Sequence, residues 1–165
     1  MTEPSPLLKL THLGFVVRDI DKAVKTYESL GIGPFKRFSL PSPEFKFNKI
    51  EHFGKYSADH KYEVAYANAG PVGIEIFQCI GGDNIPQRFL DEKGEGLWHY
   101  GYDVEDMDKT IEWMAERGYG IIGSAEYPDG TRMVYFDTRE DLDGIVFQAH
   151  ENVEKHLDFF EDKSK

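Results

Sequence analysis

A repeated opening constrains this chain more than any other feature. Residues Thr11–Gly31, THLGFVVRDIDKAVKTYESLG, return at an offset of 87 residues as Trp98–Gly118, WHYGYDVEDMDKTIEWMAERG. At that offset His12 falls on His99, Gly14 on Gly101, Val17 on Val104, Asp19 on Asp106, Asp21 on Asp108, Lys22 on Lys109 and Gly31 on Gly118. The chain is therefore two copies of one unit, and each copy opens with a histidine on a strand.

Within the first copy, LLKLTHLGFVV alternates as a strand does. Asp19 then offers an N-cap, Ile20, Ala23, Val24, Tyr27 and Leu30 share one helical face, and Gly31 supplies the stop. Segments Phe35–Leu40, Tyr62–Asn68 and Gly73–Ile80 read as three further strands, the last two joined by a tight turn at Gly70 and Pro71. The second copy repeats the order: strand Leu97–Val104, a helix Met107–Arg117 capped by Asp106, and strands Tyr119–Ser124, Thr131–Asp137 and Gly144–His150, with a turn at Asp129–Gly130. This predicts a single α+β domain over residues 1–165 made of two βαβββ modules, module one at about 8–80 and module two at about 97–150.

Three stretches fall outside this pattern. Pro41–Lys61, rich in Lys, Phe and His, has no clear period and reads as a long, partly extended excursion that could fold over a site. Gly81–Gly96 joins the modules and can hold a short helix at Pro86–Glu92. Glu151–Lys165 can form an amphipathic helix with Val153, Leu157 and Phe160 on one face, an arm against the domain or a second subunit.

Composition narrows the function classes. With 40% hydrophobic residues the 165-residue chain can bury a core, and its net charge of −11 repels phosphate backbones and anionic lipid. Neither nucleic acid nor a membrane is expected as a partner. No apolar run approaches the roughly 18–20 residues that span a bilayer, and MTEPSP lacks the apolar stretch of a signal peptide, so a cytoplasmic protein is expected. The one cysteine, Cys79, sits in the apolar run IEIFQCI and reads as a small core residue.

The chemistry concentrates on the strands that begin and end each module. If the modules pack with pseudo-twofold symmetry, the opening strands approach each other and His12 converges with His99; converging imidazoles are natural ligands for a divalent metal. Glu75 lies between Ile74 and Ile76 in GIEIFQ, where an ionised carboxylate is costly unless paired or coordinated. Gln148, in GIVFQAH, holds the equivalent place in the second module. His12, Glu75, His99 and Gln148 thus form a candidate metal set, while His52, His60, His150 and His156 have no repeat partners and read as solvated or loop residues.

The two βαβββ units, their HLGFVV and HYGYDV openings, GIEIF, and FDTREDLDGIVFQ near the end resemble the vicinal oxygen chelate superfamily, also called the glyoxalase/bleomycin resistance/dioxygenase superfamily, over roughly Leu8 to Glu151. The resemblance implies that the two pseudo-symmetric modules form a half-open barrel, and that His12, Glu75, His99 and Gln148 hold a divalent ion, whether nickel, cobalt, manganese, zinc or iron. Within that superfamily the chain is similar to methylmalonyl-CoA epimerase-like and lactoylglutathione lyase-like proteins, which implies an isomerase, epimerase or lyase working through an enolate-type intermediate on a small carbonyl or acyl-thioester substrate. It assigns proton transfer to Glu63, in KYEVAYAN, together with Glu75, and it implies a homodimer. The sequence departs from those enzymes at Gln148, where they carry a glutamate; an amide takes no proton at working pH.

Two other readings share the scaffold. An iron extradiol-type dioxygenase would also need a final-strand carboxylate where Gln148 stands. A non-catalytic small-molecule binding or resistance protein would hold its ligand under the excursion, against Phe45, Phe47, Phe53 and Tyr56. For a coenzyme A ester, Arg37, Lys46, Lys49 and Lys55 are the cations available near the mouth.

Overall fold

The structure is a computed structural model that describes residues 4–7, 9–42, 47–56 and 59–151. The first copy of the repeat forms β1 (Lys9–Val16) and α1 (Ile20–Ser29), followed by β2 (Lys36–Leu40), a small hairpin of β3 (Lys49–His52) and β4 (Lys55–Tyr56), then β5 (Lys61–Ala69) and β6 (Val72–Gly81). The connector carries α2 (Ile85–Lys93). The second copy forms β7 (Gly96–Val104), α3 (Met107–Ala115), β8 (Ile121–Glu126), β9 (Arg132–Phe136) and β10 (Val146–Glu151).

Equivalent sequence makes equivalent local structure. The Asp19 carboxylate accepts from the Lys22 amide at 2.9 Å and the Asp106 carboxylate from the Lys109 amide at 3.0 Å, so both helices start on the same side-chain cap. Such a cap is worth about 1 kcal/mol. Both helices are followed by a glycine in the left-handed region, Gly31 at φ +83° and Gly118 at φ +88°, where a β-carbon would be strained.

The ten strands among the described residues lie in one mixed sheet in the order β2-β5-β6-β1-β7-β10-β9-β8-β3-β4. β1 pairs parallel with β6, and β7 parallel with β10; the two halves meet where β1 and β7 run antiparallel. The sheet curls into a half-barrel, as the family resemblance implies. The Pro41–Lys61 excursion adds to this: it crosses from the first half and pairs β3 with β8, so the hairpin edges the second half rather than its own. Ile50 and His52 from β3 thereby enter the barrel interior beside Phe77, Trp98 and Tyr135.

The core has three parts. Inside the curl lie Val16, Val64, Phe77, Trp98, Tyr135 and Val146; outside it, α1 covers Ala65, Ile74 and Ile76, and α3 covers Val134, Phe136 and Ala149. Ile76 and Phe136 are wholly removed from water, each worth roughly 1.5–3 kcal/mol of transfer free energy.

Several expectations need correction. His52 and His60 are not solvated: both are buried, and the Tyr62 hydroxyl and His52 Nε2 are 3.2 Å apart. Burial, reinforced by the neighbouring His60, lowers the His52 pKa to about 4. Of the aromatic residues expected to line a ligand pocket, Phe47 does face the interior, but Tyr56 is largely exposed and Phe53 lies against the Arg88 guanidinium, 3.8 Å from its ring centre. The C-terminal helical arm, His156, Phe45 and Lys46 lie outside the described residues. Among the described residues no helix is long and apolar enough to cross a membrane.

Candidate metal centre

The histidines are brought together by a matched pair of β-bulges. Along the β1–β7 ladder Leu10 faces Tyr102 and His12 faces Gly101, leaving Thr11 as an extra residue; at the other end Gly14 faces His99 and Phe15 faces Leu97, leaving Trp98 extra. Each bulge sits immediately before a histidine. A bulge turns consecutive side chains toward one side of the sheet, and Thr11 with His12, and Trp98 with His99, are all buried.

The glycine two residues after each histidine is the other half of the device. A β-carbon on Gly14 would stand 1.9 Å from the His99 ring, and one on Gly101 would stand 2.0 Å from the His12 ring. Each module's glycine is the seat for the other module's imidazole. The sequence displayed both glycines as repeat partners, but their crossed use depends on the antiparallel register, which no local pattern reveals.

Glu75 faces Gly14 across the parallel β1–β6 ladder, and Gln148 faces Gly101 across β7–β10, so the two hold equivalent positions. Glu75 completes a triangle with the histidines: His12 Nε2 to His99 Nε2 is 3.0 Å, and Glu75 Oε2 lies 3.3 Å from the first and 3.4 Å from the second. Burial pushes the Glu75 carboxyl up, but the His12 and His99 imidazoles more than reverse this and hold it well below the usual carboxylate range. Burial dominates at His99 and lowers its pKa to about 4, with Glu75 pulling upward and His12 downward. The site therefore offers one carboxylate and a neutral, fully buried imidazole.

This donor set suits a divalent ion. Two imidazole nitrogens and a carboxylate oxygen at about 2.1 Å from a common centre lie about 3.0 Å apart when octahedral neighbours and about 3.4 Å when tetrahedral, and the three edges here span that range. One further buried atom, Gln148 Oε1, has no hydrogen-bond donor within the described residues, which suits an oxygen that could ligate a cation. Gln148 Nε2 donates to Tyr135 Oη at 2.7 Å and to Met133 Sδ at 3.1 Å, which fixes the amide plane.

Glu63 is not part of this gathering. It lies between Tyr62 and Val64, which face the interior, and strand alternation sends its side chain to the opposite surface, where Ser39 Oγ donates to it at 2.8 Å. Conversely, His150 is no loop residue: it stands on β10 with its ring 5.7 Å from that of His12. Tyr66 lies 6.4 Å from His12 on the other side, its pKa pushed up to about 12 by burial and by Glu75. Both could have been found by counting in twos from Gln148 and along β5. Between the site and the β3–β4 hairpin the interior is filled, leaving a cavity of ≈ 30 Å³ lined by His52, Tyr62, Phe77, Trp98, Met133 and Tyr135, room for about one water molecule.

A sequence profile described as the Glyoxalase/Bleomycin resistance protein/Dioxygenase superfamily matches residues 11–136. The chain belongs to that superfamily. Among glyoxalase-superfamily folds, the crystal structure of methylmalonyl-CoA epimerase from Mycobacterium tuberculosis is similar over 96% of this chain and 97% of its own, at a TM-score of 0.64 and 17% identity. A variant of Streptomyces coelicolor methylmalonyl-CoA epimerase in complex with 2-nitronate-propionyl-CoA is similar at a TM-score of 0.56 and 16% identity, covering 88% of this chain and 97% of that one. In sequence, the uncharacterized protein YqjC of Bacillus subtilis (strain 168) is 21% identical over 146 residues, 87% of this chain and 91% of its own length. The structural likenesses establish the fold of this superfamily member; its reaction has to be argued from its own residues.

Proposed function

We propose that this chain is a metal-dependent isomerase, epimerase or lyase that acts on a small carbonyl or acyl-thioester substrate through an enolate-type intermediate. The observation that carries the reading is the triangle of His12 Nε2, His99 Nε2 and Glu75 Oε2. His12, His99 and Glu75 would hold the ion, with Gln148 Oε1 as a fourth, weaker donor. A bound divalent ion supplies electrostatic stabilisation for the oxyanion that forms when a proton leaves the carbon next to a carbonyl.

The protein's own contribution is a base and a dry setting. Oε2 of Glu75 makes both imidazole contacts, which leaves Oε1 outside the triangle to accept the proton. Keeping the carboxyl below its usual pKa ensures that it is ionised at neutral pH, while leaving it a weaker base than an ordinary carboxylate. Gln148 cannot share this task, and Glu63 faces away, so among the described residues Glu75 is the one carboxylate of the site. A one-base transfer, with the proton taken and returned by Glu75, follows from that asymmetry, and epimerisation then requires the planar enolate to turn its opposite face to Glu75 before the proton returns.

Substrate approaches from the side where Glu75 and His150 keep partial exposure, because the barrel interior on the other side is filled by aromatic rings. The cations available for an acyl-CoA tail are Arg37, which pairs with Asp21, Lys49, 3.1 Å from Glu51, and Lys55. The proposed working form is a cytoplasmic homodimer, measurable by light scattering; Leu30, Ile80 and Ile121 are large apolar side chains left exposed on a single chain.

Deuterium wash-in at the α-carbon of methylmalonyl-CoA and related thioesters tests the reaction. Exchange that depends on added divalent metal and disappears in Glu75→Gln supports it. Metal-loaded protein that exchanges no candidate substrate supports the non-catalytic binding reading instead.

A further inference from the structure

We infer that Thr11 is a positioning residue that sets the tautomer of His12 and so presents the Nε2 lone pair to the metal; this rests on the metal reading above. The available protons decide the tautomer. Thr11 Oγ1 lies 3.0 Å from the carbonyl oxygen of Gly101, an acceptor with nothing to donate, so the one hydroxyl proton points there. The same Oγ1 lies 3.0 Å from His12 Nδ1. With its proton committed, the hydroxyl can only accept, and Nδ1 must carry the hydrogen. In the neutral ring that leaves Nε2 bare, and Nε2 is the atom that faces His99 and Glu75.

The bulge is what makes this contact available. Thr11 is the extra residue on β1, and on an unbulged strand its hydroxyl would sit on the face opposite His12. The repeat then exposes an inequality. The residue equivalent to Thr11 is Trp98, which packs edge-on against His99 with ring centres 4.2 Å apart and gives it no acceptor. Among the described residues, His99 Nδ1 is buried without a partner. At Nδ1, then, the His12 imidazole is preset by a hydrogen bond, whereas that edge of the His99 ring meets only packing.

The test compares wild type with Thr11→Val, which keeps the branched shape and removes the hydroxyl, and with Thr11→Ser, which restores it. Titration of metal-free protein with Co²⁺ against a competing chelator should show Thr11→Val binding about 10- to 100-fold more weakly, the range found when an outer-shell partner of a ligating histidine is removed. Thr11→Ser should recover most of the loss. Long-range ¹H–¹⁵N correlation spectra of metal-free protein above the ordinary histidine pKa should show His12 as the Nδ1–H tautomer in wild type and Thr11→Ser, and not in Thr11→Val. Unchanged Co²⁺ affinity together with an unchanged His12 spectrum in Thr11→Val overturns the assignment, and so does an Nε2–H tautomer in wild type. Wild-type protein that takes up no Co²⁺ overturns the metal reading, and the tautomer spectra then decide the role of Thr11 separately.

Discussion

Gly14 and His99 share one position across the junction of the two modules: a β-carbon on the glycine would stand 1.9 Å from the imidazole. Gly101 and His12 repeat the arrangement at 2.0 Å. The two repeats are therefore interlocked, and neither histidine can reach its place unless the opposite module supplies a glycine.

Gly14→Ala and Gly101→Ala should each displace the facing ring, cost about 1–3 kcal/mol through overpacking, and abolish metal binding. Gly120→Ala is the control, since nothing lies within 4 Å of its added carbon and its φ is not positive. Chemical denaturation of the three variants checks this, with Gly120→Ala expected within about 0.5 kcal/mol of wild type.

Gln148→Glu tests the broken correspondence. The change gives up the bonds from Nε2 to Tyr135 and Met133 and buries a second charge, so metal-free protein should lose about 1–3 kcal/mol. With metal the extra carboxylate becomes a ligand, so the stabilisation gained on adding Zn²⁺ should exceed that of wild type. Melting curves with and without the ion read both effects.

Glu63→Gln should leave metal affinity within twofold of wild type, because its side chain lies on the far face with Ser39. A surface substitution of this kind changes stability by about 0.5 kcal/mol or less. Chelator competition and denaturation measure the two quantities.

Acid should destabilise the metal-free protein through its buried histidines. The folded-state pKa values of His52 and His99 are both lowered from 6.5 to about 4, so between those values the unfolded chain binds more protons than the folded one. Their contribution is complete above pH 6.5 and falls as pH drops toward about 4, by about 1.4 kcal/mol per pH unit for each group. Glu75, held below the ordinary 4.5, adds a further loss at lower pH. Stability measured against pH in His52→Gln should show the smaller slope.

What the sequence revealed and what it hid follow from distance along the chain. The strands, the capped helices and the pairing of His12 with His99 are local or repeated features, and all could be read from residue order. Glu63 misled because the resemblance placed it by position in a strand while its face depends on alternation from Tyr62 and Val64. Thr11 and Trp98 looked like ordinary strand residues, since a bulge appears only when the partner strand is in register. His52 and His60 looked solvated because the excursion's destination, the edge of β8, is a long-range pairing with no local signature.

Elemental analysis tests most directly whether His12, Glu75 and His99 hold one divalent ion. Protein purified without chelator should carry about one transition-metal ion per chain, and His12→Ala/His99→Ala protein of the same fold should carry none. Wild-type protein that is metal-free and takes up no Ni²⁺, Co²⁺, Mn²⁺, Zn²⁺ or Fe²⁺ would contradict it.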